Sequence, residues 1–404
     1  MSRTSSSPAL SARAASLQPS ATLAMVARVA QLRAEGVRIL SLTAGEPDFG
    51  PPKAAEEAGI AAIRAGQGRY TAASGTTELR AAAARMIREE IGIEYATEEV
   101  IVTTGGKLGI NQALLALVDP GDRVLMPTPC WTSYPEMVRI AGGEPVEVPC
   151  GPDHLPRVAD LDTACGAGAA AVLLNTPCNP TGAVYPAELC AEIGAWALRR
   201  GVTVISDEIY AALTYHGAQH VSPIAATPGL REQAVWIGGM SKAYAMTGWR
   251  MGFLAAPKPL AQAIGGLQSQ LASSPNAISQ IASLAALEQG AAEREAMRQA
   301  FERRCRTVAE ALGAMPGVVC PEPQGAFYAF PDVSAHFGKT DPATGRTVRS
   351  GDDLGEVLLD ADHVGVIGGS AFGAPDCFRL SFAAADEVLA EALERIGNRL
   401  AALR

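Results

Sequence analysis

Short apolar runs alternate with longer alanine-rich segments along most of this chain, and that alternation constrains its fold more than any other feature. Apolar runs bounded by Gly, Pro, Asn or Asp are typical of buried strands, and the segments between them suit helices. We predict strands at residues 100–103, 123–126, 145–148, 170–174, 202–205 and 235–237, and helices at 108–118 and 188–200. This order predicts an α/β protein built on a mostly parallel sheet.

Four of the predicted strands end in loops rich in glycine or polar side chains. These loops begin at Gly105, Asn175, Asp207 and Gly238. In an open parallel sheet, ligands bind in the crevice outside the carboxyl ends of the strands. The four loops therefore predict a single functional site at that edge.

The chain divides into three predicted parts. We expect a large domain at 51–295 and a smaller α+β domain at 296–404, partly completed by residues 1–50. Positions 1–34 contain no acidic residue and are rich in Ser, Ala and Arg, which predicts a disordered arm rather than a transit peptide. The polar segment 338–353 is predicted to be a surface loop.

Composition and charge exclude several classes of protein. The 404 residues carry 33 basic and 42 acidic side chains, a net charge of −9, whereas nucleic acid phosphates need an excess of Lys and Arg. No stretch approaches the roughly 18 apolar residues of a membrane-spanning helix, so we expect no membrane partner. The eight cysteines form no C-x-x-C pair and do not cluster with the five histidines, which predicts no metal site and a cytoplasmic location.

A lysine follows the predicted strand at 235–237 and a pair of glycines. Lys242 has Ser241 before it and Arg250 eight positions after it. A lysine held in a cleft can lose its proton and form a Schiff base with a carbonyl, and a hydroxyl and a guanidinium suit a phosphate. An isolated lysine is usually solvated. This combination instead indicates pyridoxal phosphate, which carries both an aldehyde and a phosphate.

Polar residues at the other strand ends fit the same cofactor. Asp207 can pair with a pyridinium nitrogen and Tyr210 with the phenolic oxygen of the ring, although an Asp before a helix is more often an N-cap. Glu208 is expected at that cap or in solvent. Gly105 and Gly106 open a predicted helix whose backbone N–H groups can receive a phosphate.

These segments together resemble the pyridoxal-phosphate-dependent aminotransferases of fold type I, class I/II, and within them the bacterial aspartate/prephenate aminotransferase subgroup. The resemblance runs from about residue 15 to the C-terminus. It rests on Pro19-Ser20-Ala21-Thr22, Leu42-Thr43-Ala44-Gly45-Glu46-Pro47-Asp48-Phe49, Tyr70-Thr71 with Gly75 and Glu78-Leu79-Arg80, Gly105-Gly106-Lys107, Trp131-Thr132-Ser133-Tyr134-Pro135-Glu136, Asn179-Pro180-Thr181-Gly182, Ser206-Asp207-Glu208-Ile209-Tyr210, Ser241-Lys242-Ala243-Tyr244-Ala245-Met246-Thr247-Gly248-Trp249-Arg250, Gly325-Ala326-Phe327-Tyr328 and Arg379-Leu380-Ser381. It implies a large domain with a seven-stranded, mostly parallel sheet between helices and a smaller α+β domain.

The resemblance also assigns roles around the cofactor ring. Lys242 would form the Schiff base and move the substrate proton, and Asp207 would pair with the pyridine nitrogen. Tyr210 and Asn179 would bind the ring oxygen. Trp131, which by itself would more often belong to the core, would stack on the ring face.

The same resemblance implies how the phosphate is held. Arg250, Ser241 and the backbone of 105–107, which includes Lys107, would bind it. Tyr70 would reach in from a second subunit. A site shared in this way implies a homodimer.

The resemblance further implies which residues contact the substrate. They are Gly45, Trp131, Asn179, Arg379, Lys107 and Thr22. Arg379 would clamp the α-carboxylate through two hydrogen bonds. Lys107 and Thr22 would face the distal carboxylate of an acidic substrate, although Lys107 is also open to the interpretation of a solvated side chain.

The implied activity is a ping-pong aminotransferase that moves the amino group of aspartate or glutamate to a 2-oxo acid such as 2-oxoglutarate. Gln18 stands where prephenate-using relatives often have a basic residue, which favours aspartate over prephenate. Cys130, Cys178 and Gly369 depart from the family pattern on the substrate side. They leave an alternative open, a pyridoxal phosphate enzyme of specialised metabolism that catalyses elimination, decarboxylation or C–C bond formation.

Overall fold

The structure is a computed structural model that describes residues 10–17 and 21–404. The strands in this part of the chain are β1 (Leu40–Ser41), β2 (Val100–Thr103), β3 (Arg123–Thr128), β4 (Glu144–Pro149), β5 (Ala171–Asn175), β6 (Thr203–Asp207), β7 (Ala234–Gly239), β8 (Gly252–Ala255), β9 (Tyr328–Ala329), β10 (Val364–Gly365), β11 (Ile367–Gly368) and β12 (Phe378–Ser381).

The helices alternate with these strands through the first two thirds of the chain and dominate the last third. They are α1 (Ala12–Ser16), α2 (Ala21–Ala34), α3 (Lys53–Arg64), α4 (Thr77–Met86), α5 (Gly106–Leu117), α6 (Tyr134–Ala141), α7 (Val158–Cys165), α8 (Ala187–Arg200), α9 (Pro223–Ala226), α10 (Met240–Ala243), α11 (Lys258–Leu271), α12 (Ala277–Gln289), α13 (Ala291–Gly313), α14 (Gly351–Asp362) and α15 (Asp386–Ala402). None of these described helices is both long and apolar enough to cross a membrane.

Seven strands form one large sheet in the order β2-β8-β7-β6-β5-β3-β4. β8 runs antiparallel to both of its neighbours, and the remaining pairs are parallel. The prediction of an α/β protein with a seven-stranded, mostly parallel sheet is therefore confirmed. The carboxyl ends of β2, β5, β6 and β7 lie at one edge, because these strands run in the same direction.

The sheet is covered by helices on both faces. Val172 and Val204 enter the apolar cluster on one face together with α4, α8 and α12. Their neighbours Leu173 and Ile205 enter the cluster on the other face, with α5, α6 and α11. This alternation is what the two-residue period of a strand produces when both faces are buried.

A third apolar cluster belongs to the C-terminal part of the chain. Helices α13, α14 and α15 pack there around the small sheet β11-β12-β9. The N-terminal segment joins this cluster, since β1 pairs in parallel with β10 and Leu40 lies opposite Val364.

One sequence-based expectation is wrong, and a second holds only in part. Residues 21–34 form helix α2 rather than a disordered arm, because this alanine-rich stretch has high helix propensity and buries Val29. The segment 338–353 is not simply a surface loop. Asp341 is fully buried in it, where it accepts hydrogen bonds from Arg399 and Thr344, and α14 begins at Gly351.

Candidate active site

A cavity of about 910 Å³ opens at the carboxyl edge of the large sheet, and the four predicted loops meet around it. The sequence-predicted site residues that line it are Gly45, Gly106, Lys107, Trp131, Asn179, Asp207, Tyr210, Ser241, Lys242, Arg250 and Arg379. Tyr328, near the C-terminal cluster, and one side of α2 complete the walls. The cavity is therefore built from both parts of the molecule.

Asp207 ends β6, and the sheet register places it between Asn175 and Ile237. Tyr134 Oη donates a hydrogen bond to Asp207 Oδ2 at 2.6 Å, and the backbone N–H of Ile209 donates to Oδ1 at 3.2 Å. Burial raises the pKa of Asp207 to about 6, and the two hydrogen bonds oppose that rise. A buried carboxylate held by two hydrogen bonds can bind a cationic N–H of a ligand.

Lys242 lies on α10, directly after β7. Its Nζ donates a hydrogen bond to the backbone carbonyl of Gly45. The pKa of Lys242 is lowered to about 8, mainly by burial and also by the charge of Arg379, while Glu46 opposes the change. An amine with this pKa is substantially neutral at mildly alkaline pH and can attack a carbonyl.

Arg379 on β12 is a buried cation, with 2% of its surface exposed. Nη1 donates to Asn179 Oδ1 at 2.9 Å and Nη2 to the carbonyl of Thr43 at 3.1 Å, while Nε has no hydrogen-bond partner. Within residues 10–17 and 21–404, no carboxylate lies within 4.0 Å of this guanidinium. Burying an unpaired charge is costly, so the site favours a ligand that brings a carboxylate.

The first turn of α5 forms a cradle for an anion. Gly105 caps this helix with φ +79°, and a Cβ there would lie 2.6 Å from Arg250 Nη2. Arg250 is itself held at φ +56°, with Nη1 donating to the carbonyl of Thr247 at 2.9 Å. The N–H groups of the helix end, this guanidinium and the Ser241 hydroxyl can hold a phosphate between them.

Two further polar contacts line the remaining walls. Tyr210 Oη and Tyr328 Oη lie 3.1 Å apart. Lys107 Nζ donates to Ser133 Oγ at 3.1 Å and lies 4.7 Å from the centroid of the Trp131 ring. Lys107 is exposed, and its amine lies at the cavity wall in contact with Ser133 and Trp131.

Three sequence-predicted positions are not placed at the cavity. Tyr70 is 92% exposed and lies beside Ser269 and Ser273, away from the cavity within its own chain. Thr22 belongs to α2, but its side chain lies outside the described part of the structure, as does the whole of Gln18.

Several residues at the site were not assigned a role from the sequence. They are Tyr134, Asn175, Tyr328, Glu46 and the α2 residues Val26, Val29 and Ala30. A signal for both tyrosines was present in the sequence, because Tyr134 lies in the stretch that begins at Trp131 and Tyr328 ends the stretch that begins at Gly325. What the sequence did not show is the contact between Tyr328 and Tyr210, which depends on the packing of the small sheet.

The expectation for Glu208 is wrong. It neither caps a helix nor faces solvent, but is buried on the side of β6 away from the cavity and accepts hydrogen bonds from surrounding side chains. Among the described residues, no group of three or more His, Cys, Asp or Glu side chains is arranged to hold a metal ion.

Comparison with known proteins identifies the family. The family model for aminotransferase class I and II matches residues 37–396. The chain belongs to this family. An aspartate aminotransferase of Geobacillus stearothermophilus is 41% identical over 389 residues, which cover 96% of this chain and 98% of that protein. An aspartate/prephenate aminotransferase of Cereibacter sphaeroides is 40% identical, covering 96% and 97%.

Solved structures of aminotransferases share the whole fold. The aspartate aminotransferase of Rhizobium meliloti matches with a TM-score of 0.95 and 37% identity, covering 98% of this chain and all of that one. The Thermus thermophilus aspartate aminotransferase solved with maleate matches with a TM-score of 0.89 and 39% identity, covering 97% and 100%. The aminotransferase fold type I implied by the sequence is thus confirmed.

The raised pKa of Asp207 predicts how the stability of the ligand-free aminotransferase depends on pH. The folded protein keeps a proton on Asp207 up to about pH 6, whereas the unfolded chain releases it near 3.8. The free energy of unfolding should therefore fall between these values as pH rises, by up to about 1.4 kcal/mol per pH unit from this group. Asp207→Asn should remove that contribution.

Urea unfolding of the ligand-free protein between pH 4.5 and 7 measures how the free energy of unfolding depends on pH. The exposed carboxyl of Asp160 provides the control, Asp160→Asn, which should follow the wild-type curve. A pH dependence of unfolding that is identical in wild type and Asp207→Asn would contradict the assignment.

Proposed function

We propose that this aminotransferase uses pyridoxal phosphate to move the amino group of aspartate or glutamate to a 2-oxo acid such as 2-oxoglutarate. One observation carries the proposal. The amine of Lys242, the carboxyl of Asp207 and the guanidinium of Arg379 line the same cavity without an ion pair of 4.0 Å or less among these described residues. Each of the three groups therefore remains available to a ligand.

The donors of the cavity match the groups of pyridoxal phosphate. The cofactor supplies an aldehyde that captures an amine and a ring that accepts the electrons of the substrate Cα–H bond. The anion cradle at Gly105, with Ser241 and Arg250, fits its phosphate, and the Asp207 carboxyl fits its ring nitrogen. The residues that would hold the remainder of the ring are Tyr210, Asn179 and Trp131.

Lys242 has the properties of a group that moves a proton. A pKa of about 8 means that Nζ both gains and loses a proton near neutral to mildly alkaline pH. Nζ lies against the carbonyl of Gly45, which holds the amine at the cavity wall. In the proposed reaction this amine would take the proton from the substrate Cα and pass it to the C4′ atom of the cofactor.

Two cations favour a dicarboxylate as substrate. In the proposed complex Arg379, which also donates to Asn179, binds the α-carboxylate, and Lys107, which donates to Ser133, binds the distal carboxylate. Aspartate, glutamate and 2-oxoglutarate each carry two such groups. The names of the relatives and the maleate in the Thermus thermophilus structure support this substrate class. They favour transamination over elimination, decarboxylation or C–C bond formation.

The proposal includes a homodimer in which Tyr70 completes the phosphate site of the partner. Tyr70 is 92% exposed, and Leu271, at the end of α11, is 56% exposed. Large apolar side chains left open on a folded chain are typical of an interface. We also propose that the chain divides into parts at 1–50, 51–295 and 296–404 and that the protein is cytoplasmic. The separate apolar clusters support the first, and the eight cysteines, which form no disulfide in the described structure, support the second.

Removing the Arg379 guanidinium should weaken the binding of the substrate and leave the binding of the cofactor unchanged. Arg379→Ala is expected to lower kcat/KM for aspartate by a factor of about 100 or more, because the substrate carboxylate then lies buried without its partner. The dissociation constant of pyridoxal phosphate should stay close to the wild-type value.

Arg38→Ala, which removes an exposed arginine that pairs with Glu391 on the surface, is the matched control and should change neither quantity. A kcat/KM for aspartate that survives in Arg379→Ala would refute the role of Arg379.

Mixed dimers test whether Tyr70 acts across an interface. Tyr70→Ala and Lys242→Ala should each lower activity, but a hybrid of the two holds one site with both residues intact. Mixing equal amounts under conditions of subunit exchange should restore about a quarter of the wild-type activity, because half of the dimers are hybrids with one intact site. Activity no higher than the mean of the two variants would show that Tyr70 does not act in the partner's site.

A further inference from the structure

A second buried carboxylate lies behind the active site. Glu208, immediately after β6, is 2% exposed. Ser206 Oγ and Ser222 Oγ donate to its Oε1 at 2.7 and 2.6 Å, and Trp236 Nε1 donates to Oε2 at 3.0 Å. His220 Nε2 lies 2.7 Å from Oε2. Four partners fill the acceptor positions of a carboxylate.

The backbone couples this carboxylate to the active site. The N–H of Glu208 donates to the carbonyl of Ile237 at 2.8 Å, so the hydrogen-bonded ladder continues one residue past β6. Successive side chains on a strand point to opposite faces. Asp207 therefore faces the cavity while Glu208 faces away from it, and contacts that hold Glu208 in place also hold the backbone from which the Asp207 side chain projects.

The indole of Trp236 connects Glu208 to the segment that carries Lys242. Trp236 lies on β7, opposite Ser206 in the parallel register. Its ring covers Gly238, where any Cβ would overlap the indole atoms. The hydrogen bond from Trp236 to Glu208 thus fixes the end of β7 just before α10.

The charge of Glu208 also acts on Asp207. Burial is the main cause of the raised pKa of Asp207, and the neighbouring Glu208 charge raises it further. A negative charge at this position increases the proton affinity of Asp207 and of any ligand group that shares its proton.

We propose that Glu208 is a positioning residue that orients Asp207 toward the ring nitrogen of the cofactor and stabilises the proton between them. The inference rests on the proposed cofactor and goes beyond it, because Glu208 does not line the cavity and touches neither cofactor nor substrate.

The test compares two ligands in the protein with and without this charge. Pyridoxal phosphate has a ring nitrogen, whereas 1-deazapyridoxal phosphate has a C–H in its place and makes no bond to Asp207. Glu208→Gln keeps the shape of the side chain, and the two serine hydroxyls can rotate to accept from its amide. The measurement is the dissociation constant of each ligand, by absorbance titration of the ligand-free protein.

We expect the preference for pyridoxal phosphate over its deaza analogue to fall about tenfold in Glu208→Gln. The control is Glu99→Gln, which neutralises another buried carboxylate, one that accepts from Ala96 N–H and Arg231 before β2, away from the cavity. It should change the thermal stability but leave the ratio of the two dissociation constants at the wild-type value.

Ser222→Ala provides a second variant that keeps the charge but removes one donor, so that the test survives if Glu208→Gln does not fold. It should lower the same ratio by about threefold. An unchanged ratio of the two dissociation constants, including the case in which both ligands bind more weakly by the same factor, would overturn the role of Glu208 and leave the proposed function intact. Failure of the wild-type protein to bind pyridoxal phosphate would overturn both.

Discussion

Three ionisable groups, the buried Asp207 and Arg379 and the partly buried Lys242, face one cavity without pairing with one another, and the rest of the structure depends on that arrangement. Taking a charge out of water costs several kcal/mol unless a partner compensates it. Here burial raises the pKa of Asp207 to about 6 and lowers that of Lys242 to about 8, so both respond readily to a ligand. Arg379 stays charged and keeps one N–H without a partner. The cavity is therefore prepared for a ligand that brings the missing charges.

The fold maintains this costly arrangement through contacts that lie outside the cavity. The parallel register fixes Asp207 between Asn175 and Ile237, and Tyr134 holds its carboxyl from α6. Arg379 extends from β12 of the small sheet, and hydrogen bonds to Asn179 and to the carbonyl of Thr43 orient it. The two halves of the site therefore come from different apolar cores.

The sequence predicted the large sheet and the residues at its carboxyl edge because both produce local signals. Strands buried on both faces appear as short apolar runs, and Lys242 stands beside Ser241 after paired glycines. Other features depend on contacts between distant segments. Arg379 by itself has the pattern of a surface residue, and only packing reveals it as buried. Glu208 has the local pattern of a helix cap, whereas its partners Ser222 and Trp236 are brought to it by the fold.

The most direct test of the account is the absorbance of the purified protein with bound pyridoxal phosphate during addition of L-aspartate and then of 2-oxoglutarate. A ping-pong aminotransferase leaves the amino group on the cofactor after the first half-reaction and removes it in the second. We expect the yellow absorbance to disappear with aspartate alone and to return with the 2-oxo acid. A yellow protein that does not respond to aspartate, or that releases ammonia without recovering its colour on addition of 2-oxoglutarate, would contradict it.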